Sequence, residues 1–255
     1  MSLWIRFEHA SAEHFGILEA ERIRIHEGNI FDAPLDTGRT VPLAVVRVLT
    51  PCRPTKMVAL WNNFHALAAK LGQSIPAEPL YFLKASSAFH PHGEPIRTPS
   101  SYAGKVVYEG ELGIVIGRRC MAVSEADAGA HIFGYTCVND VTAVELLKKD
   151  PTFDQWTRAK SFDTFGVFGP VIASGIDPLA LSIRTVLNGQ ERQNYPVRDM
   201  VFPPARLVSL ISHDMTLEPG DVIACGTSIG VGSMKPGSTV SVTIEGIGVL
   251  ENRFE

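Results

Sequence analysis

Cysteine is scarce in this chain. Cys52, Cys120, Cys137 and Cys225 are its four cysteines in 255 residues, widely scattered and without a CxxC pair. That speaks against both a zinc site and a disulfide framework, and it leads to the expectation of reduced thiols in a cytoplasm. Cys137 and Cys225 sit in apolar segments and read as inert core thiols. Positive charge is also short: 23 Lys and Arg stand against 27 Asp and Glu, a formal net charge of −4. With no basic patch to attract a phosphate backbone, no nucleic-acid partner is expected. Long apolar runs are missing too. No stretch approaches the roughly 20 residues needed to span a bilayer. The opening Met1-Ser2-Leu3-Trp4-Ile5-Arg6-Phe7-Glu8-His9 is too mixed in polarity for a secretory leader. Repeats and low-complexity segments are absent.

Turn residues, by contrast, are plentiful, with 22 glycines and 17 prolines. Long helical patterns are few, so the chain reads as β-rich α+β with short helices. Residues 1–50 hold short strand candidates, Arg22 to His26 and Val45 to Leu49 among them. They end at Thr50-Pro51-Cys52-Arg53-Pro54, a plausible boundary between a small N-terminal subdomain, 1–50, and a larger domain, 51–255. A strand from Lys56 to Leu60 leads into a helical run from Asn62 that Gly72 should end. Ser124 should cap a short helix, and Asn188-Gly189 is a hairpin signal. Pro203 to Ser212 reads as a helix, and the Pro219-Gly220 and Pro236-Gly237 turns precede strands at Asp221 to Cys225 and Thr239 to Ile244.

The most informative segment runs from Val106 to Gly117, an apolar, β-branched stretch interrupted by Glu109 and Glu111. It reads as one buried strand. Side chains alternate along a strand, so the two glutamates would share a face, about 6.5–7 Å apart at Cα. Side-by-side carboxylates in an apolar run repel each other and resist desolvation, and a hard divalent cation resolves both problems. Asp140, in Tyr135-Thr136-Cys137-Val138-Asn139-Asp140-Val141, could add a third oxygen ligand. Such a site suits Mg²⁺, Mn²⁺ or Ca²⁺. The competing reading, an ordinary exposed strand face, stays open on residue types alone.

Several segments in this order resemble the fumarylacetoacetate hydrolase family from about residue 55 to the C-terminus. They are Tyr108-Glu109-Gly110-Glu111-Leu112, Gly134 to Val141, Lys160-Ser161-Phe162-Asp163-Thr164-Phe165, and Gly169-Pro170. Later come Asn188-Gly189, Leu217 to Ile223, Gly226-Thr227-Ser228-Ile229-Gly230-Val231-Gly232 and Ile244 to Gly248. The resemblance implies a mixed β-sandwich roll with short helices, in a homodimer. It implies Mg²⁺ or Mn²⁺ at Glu109, Glu111 and Asp140, with Ca²⁺ as a substitute. It also implies a small 2-oxo carboxylate substrate, a catalytic Lys160 beside the metal, and substrate contacts from Thr227 and Gly226. The run Glu78 to Lys84 resembles the corresponding run in isomerase/decarboxylases of homoprotocatechuate breakdown and adds Lys84 to the substrate contacts.

Relatives carry a His and Glu dyad on a lid after the strand ending near Leu60, where it activates water. Here His65 is present, but the position three beyond it is Ala68. The expected function is therefore isomerase or decarboxylase chemistry on 2-oxo or 2-hydroxydienoic (di)acids in aromatic-compound catabolism. The alternatives are C–C hydrolysis of acylpyruvates or fumarylpyruvate, and non-catalytic binding of a 2-oxo acid. His90-Pro91-His92 reads as a surface loop rather than a metal pair.

Overall fold

A computed structural model describes all residues, 1–255. Strands dominate, as the turn-rich sequence implies. Twelve strands form one large mixed sheet. Its main path runs Asp32–Pro42, Arg22–Asn29, Ala12–Glu19, Ser2–His9, Gly166–Ser174, Ile132–Asp140, Gly110–Ile116, Val222–Ala224, Met57–Trp61 and Leu80–Lys84. Neighbours on this path are antiparallel, except that Val222–Ala224 lies parallel to Met57–Trp61. A four-stranded sheet, in the order Gln190–Pro196, Ser182–Leu187, Thr239–Ile244, Gly248–Arg253, packs on the centre of the large one. A small sheet joins Thr142–Ala143, Val106–Tyr108 and Gly232–Met234.

Local chemistry accounts for many of these elements. Asn188 and Gly189 both take positive φ, 51° and 76°, which is the two-residue hairpin geometry their side chains tolerate. Helix His65–Leu71 ends at Gly72 in the left-handed conformation, and the Ser124 side chain accepts a bond from the Asp127 N–H. Helix Pro204–Asp214 buries Leu207, Val208 and Ile211. The stretch Val45 to Leu49, by contrast, is not a full strand. A 3₁₀ turn covers Leu43–Val45 and only Arg47–Val48 pairs, with Ser2–His9. The first four strands form an antiparallel meander that joins the large sheet where Ser2, Leu3 and Trp4 face Ser174, Ala173 and Ile172.

The centre of the large sheet is buried on both faces, and this explains its near-continuous apolar runs. From Gly110–Ile116, Leu112 and Ile114 enter a core shared with Val242, Ile244 and Leu250 of the four-stranded sheet. Val115 enters a second core with Met57, Ala59, Val138 and Phe168, against which Phe82 packs. All four cysteines are buried in such surroundings, and burial pushes the Cys52 and Cys137 thiols up to about 12.

One expectation is corrected. Val106 to Gly117 is two strands, Val106–Tyr108 and Gly110–Ile116, belonging to different sheets and broken at Glu109. Side chains hold the break open. The Glu109 N–H donates to Asn139 Oδ1 at 3.0 Å and the Gly110 N–H to Gln193 Oε1 at 3.0 Å. Gly110 has no room for a side chain, since a Cβ there would lie 2.1 Å from Thr185 Oγ1.

Candidate metal and active site

Glu111 and Asp140 lie on the same face of the large sheet. Glu111 sits opposite Val138 in register, and Asp140 is two residues beyond Val138 on the same strand. Glu109, at the break, turns in beside them: its C=O accepts the Asp140 N–H at 2.9 Å. Ligand atoms of Glu109, Glu111 and Asp140 all fall within 4.8 Å of one another.

Two buried lysines join this cluster. Lys160, at the end of helix Trp156–Lys160, donates to Glu109 Oε2 at 2.8 Å and to Asp140 Oδ2 at 2.5 Å. Lys84, at the end of the edge strand Leu80–Lys84, donates to Asp140 Oδ1 and to the Val141 carbonyl. Thr142 Oγ1 donates to Glu109 Oε1 at 2.8 Å, and the Gly226 N–H donates to Glu111 Oε2 at 2.8 Å. Gly226 has φ of 88°, and a Cβ there would press on the Leu60 carbonyl at 3.3 Å. Glycine therefore lets that N–H reach the carboxylate.

The charges are strongly unequal in their settings. Burial, with repulsion from Asp140 and Glu109, pushes the Glu111 carboxyl well above its usual range. Burial also raises Glu109, against the pull of Lys160. Burial would raise Asp140 as well, but the ammonium groups of Lys160 and Lys84 outweigh it and hold that carboxyl low. Burial lowers Lys84 and outweighs Asp140, whereas the three carboxylates outweigh burial and raise Lys160.

The donor set fits a hard divalent cation. Its ligands are all carboxylate oxygens. Glu111 Oε1 is buried and has no hydrogen-bond partner in the protein. An orphaned, desolvated carboxylate oxygen is costly, and a cation supplies what it lacks.

The other residues singled out from the sequence take varied positions. Thr227 is buried beside the site, its hydroxyl donating to the Gly110 carbonyl at 3.0 Å and accepting from Gln193 Nε2 at 2.8 Å. His65 is exposed at the start of helix His65–Leu71 and belongs to none of the contacts linking carboxylates and lysines. The start of that helix is pinned: the Ala66 N–H donates to Asp199 Oδ2 at 3.0 Å, and Asn63 Nδ2 donates to the Cys225 carbonyl at 2.8 Å. Ala68 is fully buried, so that position has no room in the core for a carboxylate. His90 and His92 are half-buried rather than surface, and the Glu251 N–H donates to His92 Nδ1 at 3.0 Å.

Sequence reading missed the supporting residues Asn139, Thr142, Gln193 and Tyr195, whose hydroxyl donates to the Gly110 carbonyl. It also missed a cleft of about 600 Å³ walled by Trp61, Phe82 and Trp156. The alternation Leu80, Phe82, Lys84 on one strand was the available signal for that wall.

Residues 56–255 match the fumarylacetoacetate (FAA) hydrolase C-terminal family. The chain belongs to the fumarylacetoacetate hydrolase family. Residues 3–51 match a second family, Rv2993c-like, N-terminal. The solved structure of 2-hydroxyhepta-2,4-diene-1,7-dioate isomerase from Mycobacterium marinum superposes with TM-score 0.91 at 40% identity, covering 100% of this chain and 98% of that one. Oxaloacetate tautomerase YisK of Bacillus subtilis is 35% identical over 226 residues, covering 83% of this chain and 74% of the relative. Maleylpyruvate hydrolase from Sphingobium sp. SYK-6, solved with manganese(II) and pyruvate, has TM-score 0.80 at 26% identity, covering 100% of this chain and 98% of that one. The family thus includes isomerases, a tautomerase and hydrolases, and the strand-rich, several-sheet architecture is the one it shares.

Proposed function

We propose that this chain is a divalent-metal-dependent enzyme acting on small 2-oxo or 2-hydroxydienoic acids, and that it isomerises or decarboxylates them. The observation that carries this reading is the convergence of two buried ammonium groups on two buried carboxylates and the partly buried Glu109. With all three carboxylates ionised, the cluster bears one net negative charge. A divalent cation reverses that sign and makes the site attractive to an anion. Held by Glu109, Glu111 and Asp140, Mg²⁺ or Mn²⁺ would supply Lewis-acid polarisation of a 2-oxo carbonyl.

The chain's own groups supply the rest. Lys160 Nζ is fixed by two carboxylates and keeps its proton, so it is a preorganised positive charge for an oxygen that gains negative charge as a neighbouring bond breaks. Lys84 holds Asp140 from the other side and keeps it ionised. The Thr227 hydroxyl, now on the Gly110 carbonyl, would turn to a substrate carboxylate. The names of the M. marinum isomerase and the B. subtilis tautomerase support isomerisation. The likeness to maleylpyruvate hydrolase favours C–C hydrolysis as the second reading.

A turnover screen with Mg²⁺ or Mn²⁺ against oxaloacetate, acylpyruvates and hydroxymuconate-type diacids separates these readings. Isomerisation conserves mass, decarboxylation releases CO₂, and hydrolysis yields two acids. Lys160→Met should lower kcat on the order of 10²–10³-fold, the usual cost of removing one preorganised electrostatic group. A Lys160→Met enzyme with near-normal kcat removes Lys160 from the chemistry. Binding of oxalate or pyruvate without any turnover would make the chain a 2-oxo acid binding protein.

A further inference from the structure

The cleft of about 600 Å³ neighbours the carboxylate cluster through Phe82, which lines it and lies beneath Lys160. Lys84, Phe82 and Leu80 project from one face of their strand, paired with Met57, Ala59 and Trp61. Phe82 is two residues, about 6–7 Å, and Leu80 four residues, about 13 Å, along the strand from Lys84. Helix Trp156–Lys160 roofs this line at both ends. Its Lys160 Nζ stands 5.2 Å from the centre of the Phe82 ring, while its Trp156 stacks on Phe82 at 5.2 Å and 22° and meets Trp61 at 5.3 Å. Trp61, Phe82 and Trp156 remain half-exposed, so their ring surfaces are not consumed by the core. Val144 and Leu147 add apolar wall.

Charge around the cleft is sparse and has the wrong sign for an anion. Glu145 and Asp154 face Lys148 alone, and no arginine lines the space. A second carboxylate on the substrate would meet two acids and one ammonium. A flat uncharged group would meet aromatic faces, where offset stacking adds to plain burial.

We propose that this cleft holds the distal part of the substrate and selects 2-oxo monocarboxylates bearing an uncharged planar substituent, aromatic or conjugated, over diacids. The inference rests on the reading of the carboxylate cluster as the site of the 2-oxo head. It goes further by choosing among tails.

The test is calorimetric binding to the Mg²⁺-loaded protein of pyruvate, phenylpyruvate, 4-phenyl-2-oxobutanoate and 2-oxoadipate, with emission of the three tryptophans recorded in parallel. Burial of a phenyl group predicts binding on the order of ten- to a hundred-fold tighter than pyruvate for one or both phenyl compounds. No such gain is expected for 2-oxoadipate. Trp156→Ala and the rim substitution Leu80→Asp should each collapse the phenyl-to-pyruvate affinity ratio, and Trp156→Phe should restore most of it. If pyruvate binds but the phenyl compounds gain nothing, or if 2-oxoadipate binds tightest, the cleft proposal is overturned while the head site stands. If pyruvate fails to bind at all, both readings fall together.

Discussion

At the scale of single residues, Glu111 is the most exposed to error in its surroundings, because it is fully buried, repelled by two carboxylates and left with one unpartnered oxygen. Glu111→Gln removes a carboxylate whose ionisation is costly in the metal-free fold and which a bound cation would use. The variant is expected to melt no lower than wild type in EDTA. It should fail to gain the stabilisation that wild type draws from Mg²⁺ or Mn²⁺, about 2.7 kcal/mol at one hundred times the dissociation constant. Equal metal-dependent shifts in both proteins would remove Glu111 from the ligand set. His92 offers a separate reading of pH. Burial lowers its pKa, as it does that of His90, and its Nδ1 accepts the Glu251 N–H, which requires the neutral ring. A histidine kept neutral by folding contributes stability above its unfolded pKa of about 6.5 and loses it as pH falls toward the lowered folded value. Thermal melts from pH 7 to pH 5 should therefore show falling stability, and His92→Asn, which can accept the same bond without titrating, should flatten the fall. A variant with the wild-type slope would clear His92 of any part in it.

Among the elements, helix His65–Leu71 is the one that would separate the proposed reactions. Its start is tied to Asp199 and, through Asn63, to the Cys225 carbonyl, and its inward residue is Ala68, so His65 stands without a carboxylate three positions on to fix its tautomer. An unsupported imidazole can still carry a proton between enol and keto forms. His65→Ala is expected to lower tautomerisation or decarboxylation by about 10²-fold or less, with acylpyruvate hydrolysis slow in the wild type already. Efficient wild-type hydrolysis that vanishes in His65→Ala would show a water-activating lid instead. The sequence made local elements easy to read wherever backbone chemistry is decisive, as at Gly72, Ser124 and Asn188-Gly189. The three carboxylates were legible because charge in an apolar run is rare. The break at Glu109 was not, since the acceptors that hold it, Asn139 and Gln193, lie 30 and 83 residues downstream of the N–H groups they bind. The aromatic cleft was hidden for the same reason: Trp61, Phe82 and Trp156 come from three separate segments and meet only after folding.

For the molecule as a whole, the architecture is one continuous sheet from the N-terminal meander to the edge strand Leu80–Lys84, with a small sheet that the chain joins at the break at Glu109 and again just past Asp140. Glu111 stands on the large sheet and Glu109 at the threshold of the small one. A cation gripped by both carboxylates would act as a rivet between the two sheets, beside the chain crossings at Glu109 and Val141 and the bond from Thr142 to Glu109. Its removal should then be felt mechanically as well as chemically. Amide exchange within Val106–Tyr108 and its partner Gly232–Met234 is expected to quicken on EDTA treatment, while the doubly buried centre of Gly110–Ile116 stays slow. If exchange rises evenly across both sheets, or nowhere, the layers are fastened by packing alone. A fastened pair of layers would also put the loop Gly226 to Gly230, which lies between Glu111 and the small sheet, under the rivet's control, so that metal occupancy would set how stiff the mouth of the site is.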